Sequence, residues 1–170
     1  RKTLSFHDVR SFVKLELVHA ILANFPEATA VAGVATGAIA QGMLVADELA
    51  LPYAYVRPKP KDHGMKNQIE GELPTGSKVV VVEDLISTGG SSLKAVAALR
   101  EAGFEVVGMV ASYTYGFPVA EEAFREAHVK LVTLTDYEHV VEKALETGYI
   151  KEDEVAMLHD WRKDPANWKK

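Results

Sequence analysis

The stretch Val79–Leu93, VVVVEDLISTGGSSL, limits the fold more than any other part of the chain. Four successive β-branched residues leave no polar face, so the strand they form needs cover on both sides. Such a strand belongs inside a mainly parallel sheet with helices above and below. Two adjacent acids follow at its end, Glu83 and Asp84, and then a loop of small residues, Ser87-Thr88-Gly89-Gly90-Ser91-Ser92.

Strand and helix patterns alternate along the rest of the chain. Phe12–Phe25 places Val13, Leu17, Val18, Ile21 and Leu22 at helical spacing. Ala30–Val34 reads as a short strand, Thr36–Leu49 as a small-residue helix and Tyr53–Val56 as a strand. Val79–Val82 is the strongest strand, and Ser91–Glu101 is a helix that Gly103 ends. Val106–Ser112 and Val129–Leu134 read as strands, and Val119–Ala127, Asp136–Glu146 and Glu152–Arg162 as helices, with Asp136 suited to cap its helix. This alternation predicts one α/β domain over residues 1–170, a mainly parallel twisted sheet flanked by helices. In such sheets a ligand binds beyond the carboxyl ends of the strands.

Composition removes several function classes. A net charge of −5 argues against a nucleic-acid footprint over the whole surface. The chain has no cysteine, so thiol chemistry, disulfides and thiolate metal sites are out. No run approaches the roughly 18 apolar residues of a membrane span, and no signal peptide is visible, so the expected location is the cytoplasm. The chain opens at Arg1, as a segment of a longer protein would.

Gly89 and Gly90 allow a tight turn and close approach of backbone to a ligand. The helix after them offers free N–H groups and a positive dipole end to a phosphate, and Ser87, Thr88, Ser91 and Ser92 add hydroxyls. A plain strand-to-helix turn capped by Ser91 would account for the glycines alone. It does not account for Glu83 and Asp84, since two neighbouring carboxylates are costly to desolvate without a cation or sugar hydroxyls as partners. The spacing fits neither a Walker A loop nor a G-x-G-x-x-G fingerprint. A second strand–loop–helix unit, Ala30–Gly42, is open to two readings. Gly37 and Ala38 could offer amides to an anion, or Gly33, Gly37, Ala40 and Ala46 could serve close packing. Between Arg57 and Lys66 four cations (Arg57, Lys59, Lys61, Lys66) stand against Asp62, and Pro58 and Pro60 keep the segment out of a helix. A mobile cationic lid suits a polyphosphate ligand beside the phosphate loop.

The block of hydrophobic strand, two acids, three-residue spacer and T-G-G-S resembles the signature of type I phosphoribosyltransferases for 5-phosphoribosyl 1-diphosphate (PRPP). The segment RPKPKDHGMKNQIEG is similar to the flexible catalytic loop of bacterial orotate phosphoribosyltransferases, here residues 57–71, and the likeness continues through GVATGAIAQGMLVADELALPYAYVR and EVVGMVASYTYGF. The resemblance implies the type I phosphoribosyltransferase fold and transfer of phosphoribosyl from PRPP to orotate, with Mg²⁺ held through PRPP rather than directly by the protein. It implies a homodimer whose loops reach the neighbouring subunit's site. By position, Glu83, Asp84, Leu85, Ile86, Ser87, Thr88, Gly89, Gly90 and Ser91 hold ribose 5-phosphate. Val34, Ala35, Thr36 and Gly37 form the pyrophosphate loop. Arg57, Lys61 and His63 contact the diphosphate with Lys59 as a further candidate; Lys61, His63 and Lys59 are the catalytic set, and Ser87 also touches orotate. The family's N-terminal hood over the base is expected to be absent from this chain, RKTLSF corresponding to where it ends. Ser112–Gly116 lacks the arginine that some relatives use for the base. Purine and uracil enzymes would share the Glu83–Ser91 block, and a PRPP-sensing regulator could keep it without the Lys-Asp-His loop.

Overall fold

From its N-terminus the chain runs α1 (Lys2–Ser5), α2 (His7–Asn24), β1 (Ala30–Val34), α3 (Ile39–Leu49), β2 (Tyr53–Val56), β3 (Ile69–Glu70), β4 (Lys78–Ile86), α4 (Gly90–Glu101), β5 (Glu105–Thr114), α5 (Pro118–Glu126), β6 (Leu131–Asp136), α6 (Tyr137–Glu146) and α7 (Glu152–Lys163), in a computed structural model that describes residues 2–59 and 68–168. The strands form one six-stranded sheet in the order β3-β2-β1-β4-β5-β6. All neighbours are parallel except β3, which runs antiparallel to β2. No helix among the described residues is long and apolar enough to cross a membrane.

The valine run does what its composition requires. Val79, Val80, Val81 and Val82 are all at 0% exposure. Val79 and Val81 pack with Ala95, Val96 and Leu99 of α4 and Phe124 of α5. Val80 and Val82 pack on the other face with Leu17, Val18 and Ile21 of α2 and Val45 and Ala46 of α3. Period-two alternation thus feeds two cores, one on each side of the sheet.

Several boundaries move. β1 and β2 match the sequence reading. β4 continues four residues past Val82, so Glu83 and Asp84 lie within a strand rather than beyond its end. Pairing with β5 carries it on, with Glu83 opposite Ala111 and Ile86 opposite Thr114. α2 begins at His7 instead of Phe12, and in its first turns Val9 and Phe12 remain exposed. α3 begins at Ile39 instead of Thr36; residues 35–38 form a tight turn in which the Ala35–Thr36 peptide bond is cis. β6 starts two residues late, and β3 is too short to leave a pattern. Asp136 does cap α6, accepting a hydrogen bond from the His139 amide at 3.0 Å, and Gly103 follows the α4 C-cap with φ +87°.

Close approach of α3 to β1 rests on Gly33. A Cβ there would lie 2.5 Å from the Tyr53 hydroxyl and 2.8 Å from the Ala38 carbonyl oxygen. That hydroxyl donates to the Ile39 carbonyl at 2.8 Å and so holds the first turn of α3 against β2. Packing is therefore the role of Gly33. Gly33→Ala is expected to destabilise the fold by about 1–3 kcal/mol, the usual cost of overpacking a close contact. A urea titration reads it as a lower midpoint, and an unchanged midpoint would mean that α3 yields freely.

Candidate active site

Chain order reverses direction across the sheet between β1 and β4, since β2 lies to one side of this pair and β5 to the other. Loops at the carboxyl ends of β1 and β4 splay apart at such a point and leave a crevice. The register Ala30↔Val79 to Gly33↔Val82 brings the two ends level. A cleft of about 610 Å³ opens there, bounded by Thr36, Gly37, Gln41, Asp84, Leu85 and Tyr113.

Gly37 meets Asp84 across this cleft. A Cβ on Gly37 would stand 2.0 Å from Asp84 Oδ2 and 2.4 Å from its Cγ, so a side chain there would push the Asp84 carboxylate out of its present position. Of the two readings open for the Ala30–Gly42 glycines, packing against the sheet fits Gly33, and contact with the cleft fits Gly37. Ala35 N–H donates to the Val56 carbonyl at 2.9 Å, which ties this loop to the end of β2. Thr36 and Gly37 are exposed, whereas Val34 is buried.

The two acids part company. Strand alternation turns Asp84 toward α3 and the cleft, and Glu83 toward α4. Glu83 is 4% exposed. Its Oε2 accepts from the Ser92 hydroxyl at 2.8 Å and its Oε1 from the Asp84 amide at 3.0 Å. Burial pushes its carboxyl up to about 8, and the adjacent Asp84 carboxyl adds to the rise, against the Ser92 hydroxyl and the Asp84 amide, which favour the anion. Glu83 thus braces the first turn of α4 from below.

That first turn faces outward. Gly89 is the α4 N-cap at φ +79°, and no side chain caps the helix. A side chain at Gly89 would be strained by its φ and would also meet the Phe124 ring at 2.9 Å. Leu93 N–H is taken by the Gly89 carbonyl at 2.9 Å, so the amides just ahead of it are the open ones. The sequence reading of Ser91 as a possible cap does not hold; Gly90 and Ser91 are exposed at the turn itself. Ser87 and Thr88 face a neighbouring cavity of about 500 Å³ on the other side of the loop. Ile86 is at 0% exposure and belongs to the core, while Leu85 lines the cleft.

Arg57 follows β2, and its Nη1 stands 3.5 Å from Glu70 Oε1 of β3. The Arg57 and Gln68 backbones are joined by a 2.8 Å hydrogen bond. Lys59 is exposed. Lys61 and His63 lie outside the described residues. Among the described residues no group of three or more His, Asp or Glu side chains is arranged to hold a metal ion. Sequence reasoning missed Gln41 and Tyr113 on the cleft walls. It also missed Tyr115, Trp161 and Arg162 around Ser87, which come from elements far apart in the chain and left no local motif.

Comparison with known proteins agrees with this geometry. Residues 16–147 match the phosphoribosyl transferase domain family. Orotate phosphoribosyltransferase of Bacteroides thetaiotaomicron is 67% identical over 168 residues, covering 99% of this chain and 79% of that one. The chain belongs to the orotate phosphoribosyltransferase family. The crystal structure of orotate phosphoribosyltransferase from Aeropyrum pernix superposes with a TM-score of 0.77 at 32% identity, over 89% of this chain and 82% of that one. The Mycobacterium tuberculosis family member, solved with PRPP, shares the fold, with a TM-score of 0.66 at 24% identity over 81% of this chain and 79% of that one.

In this orotate phosphoribosyltransferase fold the buried Glu83 makes stability depend on pH. The folded chain keeps a proton that the unfolded chain releases near 4.5, so the contribution is complete below about 4.5 and is lost as pH rises through about 8. Glu83→Gln stays neutral throughout. Its melting temperature relative to the parent is expected to improve from pH 5 to about pH 8 and to level off above it. A difference that does not change with pH would refute the buried, protonated carboxyl.

Proposed function

We propose that this chain transfers the phosphoribosyl group of PRPP to N1 of orotate, giving orotidine 5′-monophosphate and diphosphate, a step of pyrimidine (UMP) biosynthesis. The observation that carries this reading is the meeting of Gly37 and Asp84 in the cleft, one loop away from the uncapped start of α4. A ribose 5-phosphate needs those two features side by side, an acceptor for its hydroxyls and a cradle of amides for its phosphate. The orotate phosphoribosyltransferases at high identity over nearly the whole chain support the choice of base.

In this mechanism Asp84 accepts hydrogen bonds from the ribose hydroxyls. The amides of Gly89–Ser91 and the hydroxyls of Ser87 and Thr88 take the 5-phosphate, and the backbone of Thr36 and Gly37 takes the diphosphate. The bond from C1 to the diphosphate oxygen breaks and its electron pair leaves with diphosphate. The new bond forms between C1 and N1 of orotate, and the N1 proton passes to the departing diphosphate. Positive charge develops on the sugar, so the protein's task is to hold both reactants in line and to stabilise the leaving group. Arg57, Lys59, Lys61 and His63 serve the diphosphate, His63 by hydrogen bonding near neutral pH. Mg²⁺ would be held through PRPP rather than directly by the protein, and the exposed Asp84 carboxylate facing the cleft fits a cation nearby. Bound in this way, Mg²⁺ would neutralise charge on the diphosphate. The basic segment of one subunit completes the site of the next in a homodimer, and the enzyme works in the cytoplasm.

Incubation with PRPP and Mg²⁺ is expected to consume orotate, followed by its ultraviolet absorbance, and to leave uracil, hypoxanthine and adenine untouched. Consumption of another base would overturn the choice of orotate. Lys61→Ala is expected to lower turnover about 10–100-fold, the worth of one charge-assisted bond made mainly in the transition state, with little change in product binding. Asp84→Asn is expected to weaken PRPP in a calorimetric titration; equal affinity would remove Asp84 from the ribose. Mixing those two impaired variants should raise activity above that of either alone through hybrid dimers with one intact site, and no gain would refute sharing.

A further inference from the structure

Two hollows flank the loop that ends β4. The switch-point cleft has no lysine or arginine on its described walls. The other, of about 500 Å³, shares Ser87 and Thr88 with the phosphate loop and is closed by Tyr115, Phe117, Trp161 and Arg162. Tyr115 and Phe117 stack with centroids 5.3 Å apart and an interplanar angle of 8°. Trp161 meets Tyr115 edge-on at 5.5 Å. A planar ring finds apolar, polarisable walls in this hollow, and an ionised one finds the Arg162 guanidinium, with the Asp164 carboxylate also on the lining.

Arg162 is held ready. Its Nε donates to the Tyr115 carbonyl at 2.9 Å, its Nη2 to the Gly116 carbonyl at 2.8 Å, and its Nη1 to Glu138 Oε1 at 2.9 Å. Gly116, at φ +62°, makes the room, since a Cβ there would stand 2.8 Å from Nη2. A guanidinium carries more N–H groups than these three bonds use. Glu138 offsets part of the charge and is shared with His159, whose Nδ1 lies 3.4 Å from Oε2. The neighbouring Lys163 is engaged by Asp160 at 2.8 Å. Arg162 is thus a fixed planar donor, oriented by the backbone after β5, in an aromatic hollow that opens on the phosphate loop.

Resting on the proposed orotate transfer, we infer that Arg162 of α7 is the specificity-determining residue for the base. It pairs with the carboxylate of the pyrimidine while Tyr115, Phe117 and Trp161 enclose the ring. The seat is built from the end of β5 and the end of α7, so α7 belongs to the substrate site as well as to the fold.

Orotidine 5′-monophosphate and uridine 5′-monophosphate differ by that carboxylate alone, so their relative affinity isolates the contact. In calorimetric titrations the parent full chain is expected to bind orotidine 5′-monophosphate about 10–100-fold more tightly, as a charge-assisted bidentate pair would give. Arg162→Gln is expected to abolish this preference while uridine 5′-monophosphate binds as before, and to raise the KM for orotate while leaving that for PRPP within about twofold. Equal weakening of both nucleotides would mean that Arg162 only fastens α7. A preference that survives in Arg162→Gln, or is missing in the parent, would overturn the assignment. If Arg162→Gln does not fold, Arg162→Lys is read instead; it keeps the charge without the planar fork, and an undiminished preference in it would likewise overturn the proposal. A parent that binds both nucleotides but consumes no orotate would refute the transfer reading itself.

Discussion

The parallel pairing of β1 with β4 is the constraint on which the rest depends. It is made from Ala30–Gly33 against Val79–Val82, backbone to backbone, with every residue of both segments buried. Because connections leave this pair in opposite directions across the sheet, their two loops have no neighbour between them. The cleft, the glycine loop before α4 and the Asp84 carboxylate all occupy that gap. A register slip of one residue would exchange Glu83 and Asp84 between faces, sending the Asp84 carboxylate toward α4 and putting the longer Glu83 side chain in the cleft.

Charge is handled in two ways within two residues. Asp84 is exposed to the cleft and needs no internal partner. Glu83 is enclosed, and the environment favours its neutral form. The loop they precede carries no side-chain cap, so the first backbone amides of α4 are open at this end of the sheet. An acidic chain can thus hold a polyanionic ligand, because the local field of a helix end and a short basic segment outweighs the sign of the total charge at short range.

The C-terminal helix is fastened by polar contacts more than by a deep core. α7 has no buried residue, yet Tyr137 donates to the Leu158 carbonyl at 2.9 Å and Arg162 spans from α7 to the turn after β5. A cluster of Tyr113, Tyr115, Phe117, Tyr137 and Trp161 fills the space between, its successive rings meeting edge-on, stacked or tilted. An element held this way remains close to water.

Much of this was legible in local pattern. The valine run announced a central parallel strand, because four β-branched residues have no face to show to water. Gly89 and Gly90 announced a tight turn before a helix, because backbone conformation there depends on the residue itself. Local pattern could not tell that Glu83 and Asp84 continue the strand, since that follows from the pairing with β5. Nor could it assign separate jobs to Gly33 and Gly37, one against Tyr53 and the other against Asp84, because those partners are distant in sequence. Arg162, Trp161 and Tyr115 carry no motif at all. The sequence by itself determined the strand, the turn and the class of ligand, since these arise from neighbours along the chain. Only the tertiary structure decided which acid faces the cleft and which arginine stands beside the loop, since strand parity and the docking of α7 join residues that the sequence keeps apart.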